Sequence, residues 1–240
     1  MEKIRLDKFL ASQLNCSRSD AKKLLRAKMI TVDNDVQSKG EFLFDPSVSV
    51  VRKDGTPIRY EPFVYIIQNK PAGVVSASRA PGDVTVIDLL PDALKRKDLF
   101  PAGRLDRDTT GLVLITDDGA FAHDILSPGR HVEKTYLVGL QRCVMQEEWE
   151  KITAGLITPE EHYKPARLRP VDENAAVPLY EIVLTEGRYH QIKRMFAFFG
   201  NRVCTLHRTQ IGRLSLPVDL QPGESRKLAF EELILITSKS

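Results

Sequence analysis

The chain is poor in the residues that build covalent frameworks and metal centres. Its three cysteines, Cys16, Cys143 and Cys204, are odd in number and far apart, which argues against a disulfide framework and against thiolate metal ligation. They read as reduced thiols, mostly buried. The five histidines (His123, His131, His162, His190 and His207) contain no i,i+4 pair and no Cys or acidic neighbour at ligand spacing, so no zinc or iron site is expected. No apolar run approaches the roughly 18 residues that would span a bilayer. The opening segment MEKIRLDKFLASQL is charged every few positions and lacks the uninterrupted apolar stretch of a secretory signal. A cytoplasmic protein that does not enter membranes is the expectation. Phosphate-cradling loops are missing too: PAGVVSASRAPG has glycines but matches neither G-x-x-x-x-G-K-[ST] nor G-x-G-x-x-G.

Positive charge is present but unevenly spread. Residues 1–30 hold eight Lys or Arg against three acids, five positive charges net, whereas the whole chain carries only +3. The remainder is therefore slightly acidic, and the head has the balance of a module for a polyanion. A chain of 240 residues exceeds the usual size of one compact domain, so a small basic domain followed by a larger one is expected.

Within the head, Leu6, Phe9, Leu10 and Leu14 recur at helical spacing. In SRSDAKKLLRAKMI, Ser17 and Asp20 form a capping-box pattern, Ala21, Leu24, Leu25 and Lys28 share one side, and Arg18, Lys22 and Arg26 share the other. MITVDNDVQ reads as a hairpin turning at Asp33-Asn34-Asp35, and SVSVV as a further strand. RKDGTPIRYEP, residues 52–62, has no periodicity and serves as the linker, which sets domains at 1–60 and 61–240. Beyond it, strand-like FVYIIQNKPAG, GLVLITDDG, HVEKTYLVGL, PLYEIVLTEG and NRVCTLHR are separated by helical DVTVIDLLP, AFAHDILS, MQEEWEKITAGL and HQIKRMFAFFG. The class is α+β with mostly antiparallel strands.

The run GRLDRDTTGLVLITDDG, residues 103–119, places Asp106 between Arg104 and Arg107 just ahead of a strand. It resembles the signature of the pseudouridine synthases, and within them the RsuA type. Further segments resemble that family in the same order: NKPAG (69–73), EKTYLV (133–138), EGRYHQIKRMF (186–196) and LHRTQIG (206–212). The resemblance spans nearly all of residues 63–230. The head, over residues 3–50, resembles the RNA-binding module shared by a small-subunit ribosomal protein and many RNA-modifying enzymes.

The resemblance implies a catalytic domain with a mixed, mostly antiparallel sheet around an RNA cleft, acting on uridine without a cofactor. It makes Asp106 the catalytic aspartate, Tyr136 the stacking partner of the target base, Lys193 the cation opposite Asp106 and Leu206 an apolar part of the pocket floor. Arg104 falls to the RNA backbone, and Arg5, Ser17, Arg18, Lys22 and Arg26 to the phosphates met by the head. The implied partner is ribosomal RNA or an assembling small ribosomal subunit, bound by a monomer. Small-subunit (16S) RNA is favoured over large-subunit RNA by GLVLITDDG, GRYHQIKRMF and LHRTQIG.

Such chemistry needs these residue types. Breaking the bond from uracil N1 to ribose C1′ and rejoining the sugar to C5 consumes no redox or energy source. It does need an anion at the sugar or base, and an ionised carboxylate serves as either nucleophile or stabiliser. A carboxylate closed away from water needs a nearby cation to stay charged. Asp108 is the competing carboxylate. Two residues from Asp106 on an extended segment, it lies at about 6.5 Å, near the separation in an inverting glycosidase. An RNA base-releasing hydrolase is thus one rival reading, and a non-catalytic ribosome-assembly protein of the same fold is the other. The preferred place for Asp108 is as a local acceptor for the Thr109/Thr110 turn.

Overall fold

The computed structural model describes residues 3–127, 129–130 and 132–237. The chain divides into two compact units. One runs to Val64 and takes in Lys95–Asp98; the other comprises Tyr65–Leu94 and the chain from Leu99 onward.

In the first unit, strand β1 (Ile4–Arg5) leads into helices α1 (Leu6–Gln13) and α2 (Arg18–Arg26). Strands β2 (Ile30–Val32), β3 (Asp35–Val36), β4 (Leu43–Phe44), β5 (Val51–Lys53) and β6 (Thr56–Pro57) follow. Strand β4 pairs with β1, and the others form a sheet of order β3-β2-β5-β6. Leu6, Phe9 and Leu10 of α1 meet Ala21 and Leu25 of α2 over Ile30, Val32, Phe44 and Val51. Because these positions repeat at helical and strand periods, one apolar face per element suffices to close the core. The Ser17 hydroxyl caps α2, accepting from the Asp20 amide at 3.0 Å and donating to the Asp20 carboxylate at 2.6 Å. Arg18, Lys22 and Arg26 are left exposed on the outer side of that helix.

Two expectations change here. The supposed linker is half structured, because Asp54 and Gly55 adopt positive φ (50° and 78°) and turn the chain from β5 into β6. The strand expected in SVSVV starts only at Val51, since Asp45 holds the preceding residues in a turn by accepting from the Ser47 amide at 2.9 Å.

The second unit is built on one large sheet. Its strands are β7 (Tyr65–Lys70), β8 (Phe100–Pro101), β9 (Thr110–Thr116), β10 (Lys134–Leu140), β11 (Arg167–Asp172), β12 (Leu179–Leu184), β13 (Val203–Ile211), β14 (Leu214–Ser215) and β15 (Ser225–Lys227). The order is β11-β12-β10-β13-β9-β7-β15, with β14 beside β13 and β8 beside β9. Helices α3 (Gly119–Leu126), α4 (Gln146–Ala154), α5 (Gln191–Phe198) and α6 (Phe230–Thr237) accompany it. Pairing is antiparallel except between β13 and β9, which run parallel and are in register only at His207–Thr110 and Arg208–Gly111. The acidic turn TDDG is a helix cap: Asp118 accepts from the amides of Ala120 and Phe121, both at 3.0 Å.

Residues 83–91, expected as a helix, are turns and a bridge instead. Thr85 and Asp88 bond each other reciprocally as in a capping box, the Thr85 amide donating to Asp88 at 2.8 Å and the Asp88 amide to the Thr85 hydroxyl at 3.2 Å, but only a turn follows before Pro91 stops it. Strands β11 and β15 and helix α6 were not anticipated. The cysteines are free, as expected, but not mostly buried: Cys143 and Cys204 are exposed and Cys16 is half-buried. No described helix is long and apolar enough to cross a membrane. No cluster of potential metal ligands occurs among the described residues, and His131 lies outside them.

Candidate active site

The loop between β8 and β9 is held by backbone groups on both sides. The Leu105 amide donates to the Ser76 hydroxyl at 3.1 Å, and the Thr109 amide to the Asp106 carbonyl at 3.1 Å. The NKPAG turn closes from below, with the Gly73 amide on the Arg107 carbonyl at 2.8 Å. Lys70 is fully buried, and its ammonium donates to the carbonyls of Pro71 (3.1 Å), Arg107 (3.1 Å) and Thr109 (2.7 Å). Burial lowers its pKa to about 8 against the pull of Asp108 and Asp106. The Asp106 side chain emerges from a loop whose backbone is already tied down.

Helix α5 supplies the facing cation. Ile192, Met195 and Phe196 are buried, which fixes the helix on the sheet and turns Lys193 outward. Lys193 Nζ lies 3.1 Å from Asp106 Oδ2 and donates to Asp108 Oδ1 at 2.5 Å. Burial opposes the lysine charge, but the bonds to Asp108 and Asp106 outweigh it and raise its pKa above the ordinary value. Asp108 is held below the usual carboxylate range, chiefly by the Lys193 hydrogen bond. Its side chain therefore does not serve the Thr109/Thr110 turn as expected. That turn is closed by the Asp106 carbonyl, and Asp108 points to the lysine because the Lys193 charge is the stronger partner.

A small pocket opens beside this pair. Asp106, Arg104, Thr109, Tyr136, Leu206 and Lys193 are all on its wall. Tyr136 comes from β10 with Lys134 and Val138 on the same buried face, and Leu206 from β13, directly opposite Val138. Arg208 crosses beneath the Tyr136 ring, 6.0 Å from its centroid, with its Nε donating to the Leu112 carbonyl at 2.8 Å. The Thr109 hydroxyl is buried and unpartnered among the described residues. Arg104 is exposed and makes no ion pair among them.

The outlying residues fall elsewhere. Arg5 forks onto the buried Asp7 at 3.0 and 2.8 Å, which engages much of its hydrogen-bonding capacity. Ser17 is occupied as a helix cap. Sequence reasoning passed over His190, whose Nε2 lies 3.4 Å from Asp106 Oδ1. It precedes α5 in the left-handed region, at φ 50°. Its place inside EGRYHQIKRMF was the signal available; spacing alone gave none. Lys70 and Thr109 were missed for the same reason, since nothing in a linear reading shows a hydroxyl or an ammonium turned inward.

The site thus brings a carboxylate–lysine pair together with a tyrosine and a leucine on one pocket wall. Residues 64–198 match the model of the RNA pseudouridylate synthase family, and the chain belongs to that family. Its similarity to one branch extends over almost its whole length: it is 42% identical over 233 residues to the ribosomal small subunit pseudouridine synthase A of Yersinia pestis, covering 96% of this chain and 97% of that protein. The same-named protein of Escherichia coli (strain K12) is 42% identical across 96% of this chain and 98% of its own length. A Bacillus subtilis (strain 168) protein named as an uncharacterised RNA pseudouridine synthase, YtzG, is 39% identical over 234 residues, 97% of this chain and 98% of its own. A solved structure described as a pseudouridylate synthase superposes with a TM-score of 0.67 at 36% identity, covering 97% of this chain and 99% of that one. The relatives are thus of the RsuA type.

Proposed function

We propose that this protein isomerises a uridine of small-subunit (16S) ribosomal RNA to pseudouridine. The observation that carries the reading is the Asp106–Lys193 pair, 3.1 Å apart, on the wall of a pocket that Tyr136 and Leu206 also line. The small-subunit target is supported by relatives of matching length whose names state that substrate.

In this reading Asp106 supplies the anion that acts as N1 leaves C1′, and Lys193 stands opposite it as the paired cation. The extruded uracil trades its lost base stacking for the Tyr136 ring, an exchange worth about 1–3 kcal/mol. The base turns, C5 joins C1′, the C5 proton is removed with help from the Tyr136 phenol, and N1, freed from the sugar, takes up a proton in its place. Leu206 closes the floor. Arg104 takes a phosphate of the RNA backbone. Residues 1–60 form the RNA-binding domain, with Arg18, Lys22 and Arg26 on phosphates, and residues 61–240 the catalytic domain. Isomerisation balances without oxidant, reductant or cofactor. The protein works as a monomer in the cytoplasm on RNA or on assembling subunits.

Pseudouridine mapping of ribosomal RNA from cells with and without the protein tests the reading. One small-subunit position should lose its modification, and regain it with the wild-type gene but not with Asp106→Asn, which keeps the shape of the side chain and loses its charge. An unchanged map would end the proposal.

A further inference from the structure

We infer that the stacked pair of Tyr189 and His190 is a docking platform for the base next to the target uridine. The inference rests on the proposed isomerase reading and extends it to a subsite outside the pocket.

Tyr189 is 75% exposed, which is unusual for a ring beside a polar site. It is nevertheless ordered against one neighbour: its centroid lies 3.8 Å from that of His190, with the planes 18° apart. One face of the phenol is covered and the other bare. The edge of the imidazole, at Nε2, lies 3.4 Å from Asp106 Oδ1. Of the two rings, only the imidazole is on the wall of the pocket that holds Asp106.

The turn carrying the pair is braced. Buried Glu186 accepts from Gln191 Nε2 at 2.7 Å and from the Lys164 amide at 3.0 Å, while Gln191 Oε1 accepts from the Arg188 amide at 3.0 Å. These bonds hold His190 in its left-handed conformation, so little ordering remains to be done when a ligand arrives. Arg104 and Lys193 put positive charge on the same pocket wall as His190.

Extruding a uridine leaves the next base in the strand with a bare face. An aromatic ring serves any base as a stacking partner, since every base has a π-face. Because Tyr189, unlike His190, is not on the wall of the pocket that holds Asp106, a base on its outer face is not the reacting one. It belongs to the adjacent nucleotide.

The test uses the full-length protein and a short single-stranded RNA with one central uridine, carrying 2-aminopurine on its 5′ side in one version and its 3′ side in another. Wild type should quench one of the two on binding. Tyr189→Ala should abolish that quenching and weaken binding about tenfold, while the single-turnover rate at saturating RNA and its pH profile stay unchanged. Tyr189→Phe and Tyr189→Trp should behave as wild type or bind more tightly. Unaltered quenching and affinity in the Ala variant would overturn the platform. So would normal affinity with a reduced saturating rate and a displaced pH profile, because the tyrosine would then be a prop for His190 and Asp106. Failure of the isomerase reading shows separately, as wild type that makes no pseudouridine.

Discussion

Lys193 is shared between two carboxylates, at 3.1 Å from Asp106 and 2.5 Å from Asp108, and the more exposed partner holds it more closely. The lysine is thus aimed before substrate arrives, by a residue outside the pocket wall, and Asp106 need not hold it alone.

Lys193→Ala and Lys193→Arg should separate sharply. Lys193→Ala removes the cation that stands 3.1 Å from the Asp106 carboxylate, so the Ala variant should lose most of its activity. Arg keeps the charge and should retain much more. The raised pKa of Lys193 means that its stabilising contribution is fully present below 10.5 and is lost as pH rises through the folded value. Single-turnover rates against pH for all three proteins check both points; a wild-type profile at full rate in the Ala variant would make Lys193 a bystander.

Gly111 permits the parallel contact of β9 with β13. Its φ is 100°, and a Cβ there would stand 2.3 Å from the Arg208 carbonyl oxygen and 2.8 Å from its nitrogen. Gly111→Ala should cost at least about 1–3 kcal/mol, read as a lower urea midpoint at constant slope. Stability equal to wild type would mean that the strands can part at no cost.

Thr109→Val should move stability and activity in opposite directions. It removes a buried hydroxyl that has no partner among the described residues, which should raise stability by about 1 kcal/mol. If the hydroxyl meets the uridine, turnover falls in the same variant, and Thr109→Ser restores it. A stabilised variant with undiminished turnover would leave Thr109 as packing only.

Replacing Arg18, Lys22 and Arg26 by Ala should weaken binding to all RNA sequences alike. Each lost phosphate contact should flatten the log-log salt dependence by about 0.7–0.9. An unchanged slope in salt titrations would assign this exposed face to solvent.

What a linear reading caught and what it lost follow from the range of the interactions. The α1 and α2 helices were visible because Leu6, Phe9, Leu10 and Leu25 repeat at a period the chain itself displays. The proximity of Asp106 and Lys193 was expected only through a family resemblance, since it arises from two distant segments meeting across the sheet. The role assigned to Asp108 failed because its carboxylate chose a partner 85 residues away, Lys193, and the helix expected over residues 83–91 failed because its capped first turn runs straight into Pro91. The contacts of His190 and Thr109 could not be read from composition or spacing, since neither a left-handed turn nor an orphaned hydroxyl leaves a mark there.

The parallel seam between β9 and β13 has a bearing on what kind of molecule the site can admit. The two strands are registered at only two positions, whereas β10 and β13 stay paired along most of their length. Asp106 stands just before β9, and its side chain and that of Lys193 both keep about a quarter of their surface open to solvent. The pocket they border is open to solvent, a notch and not an enclosed cavity. A nucleotide in the middle of a long polymer has no free end to thread, so it must enter sideways, and a notch needs no gate to let it in or out.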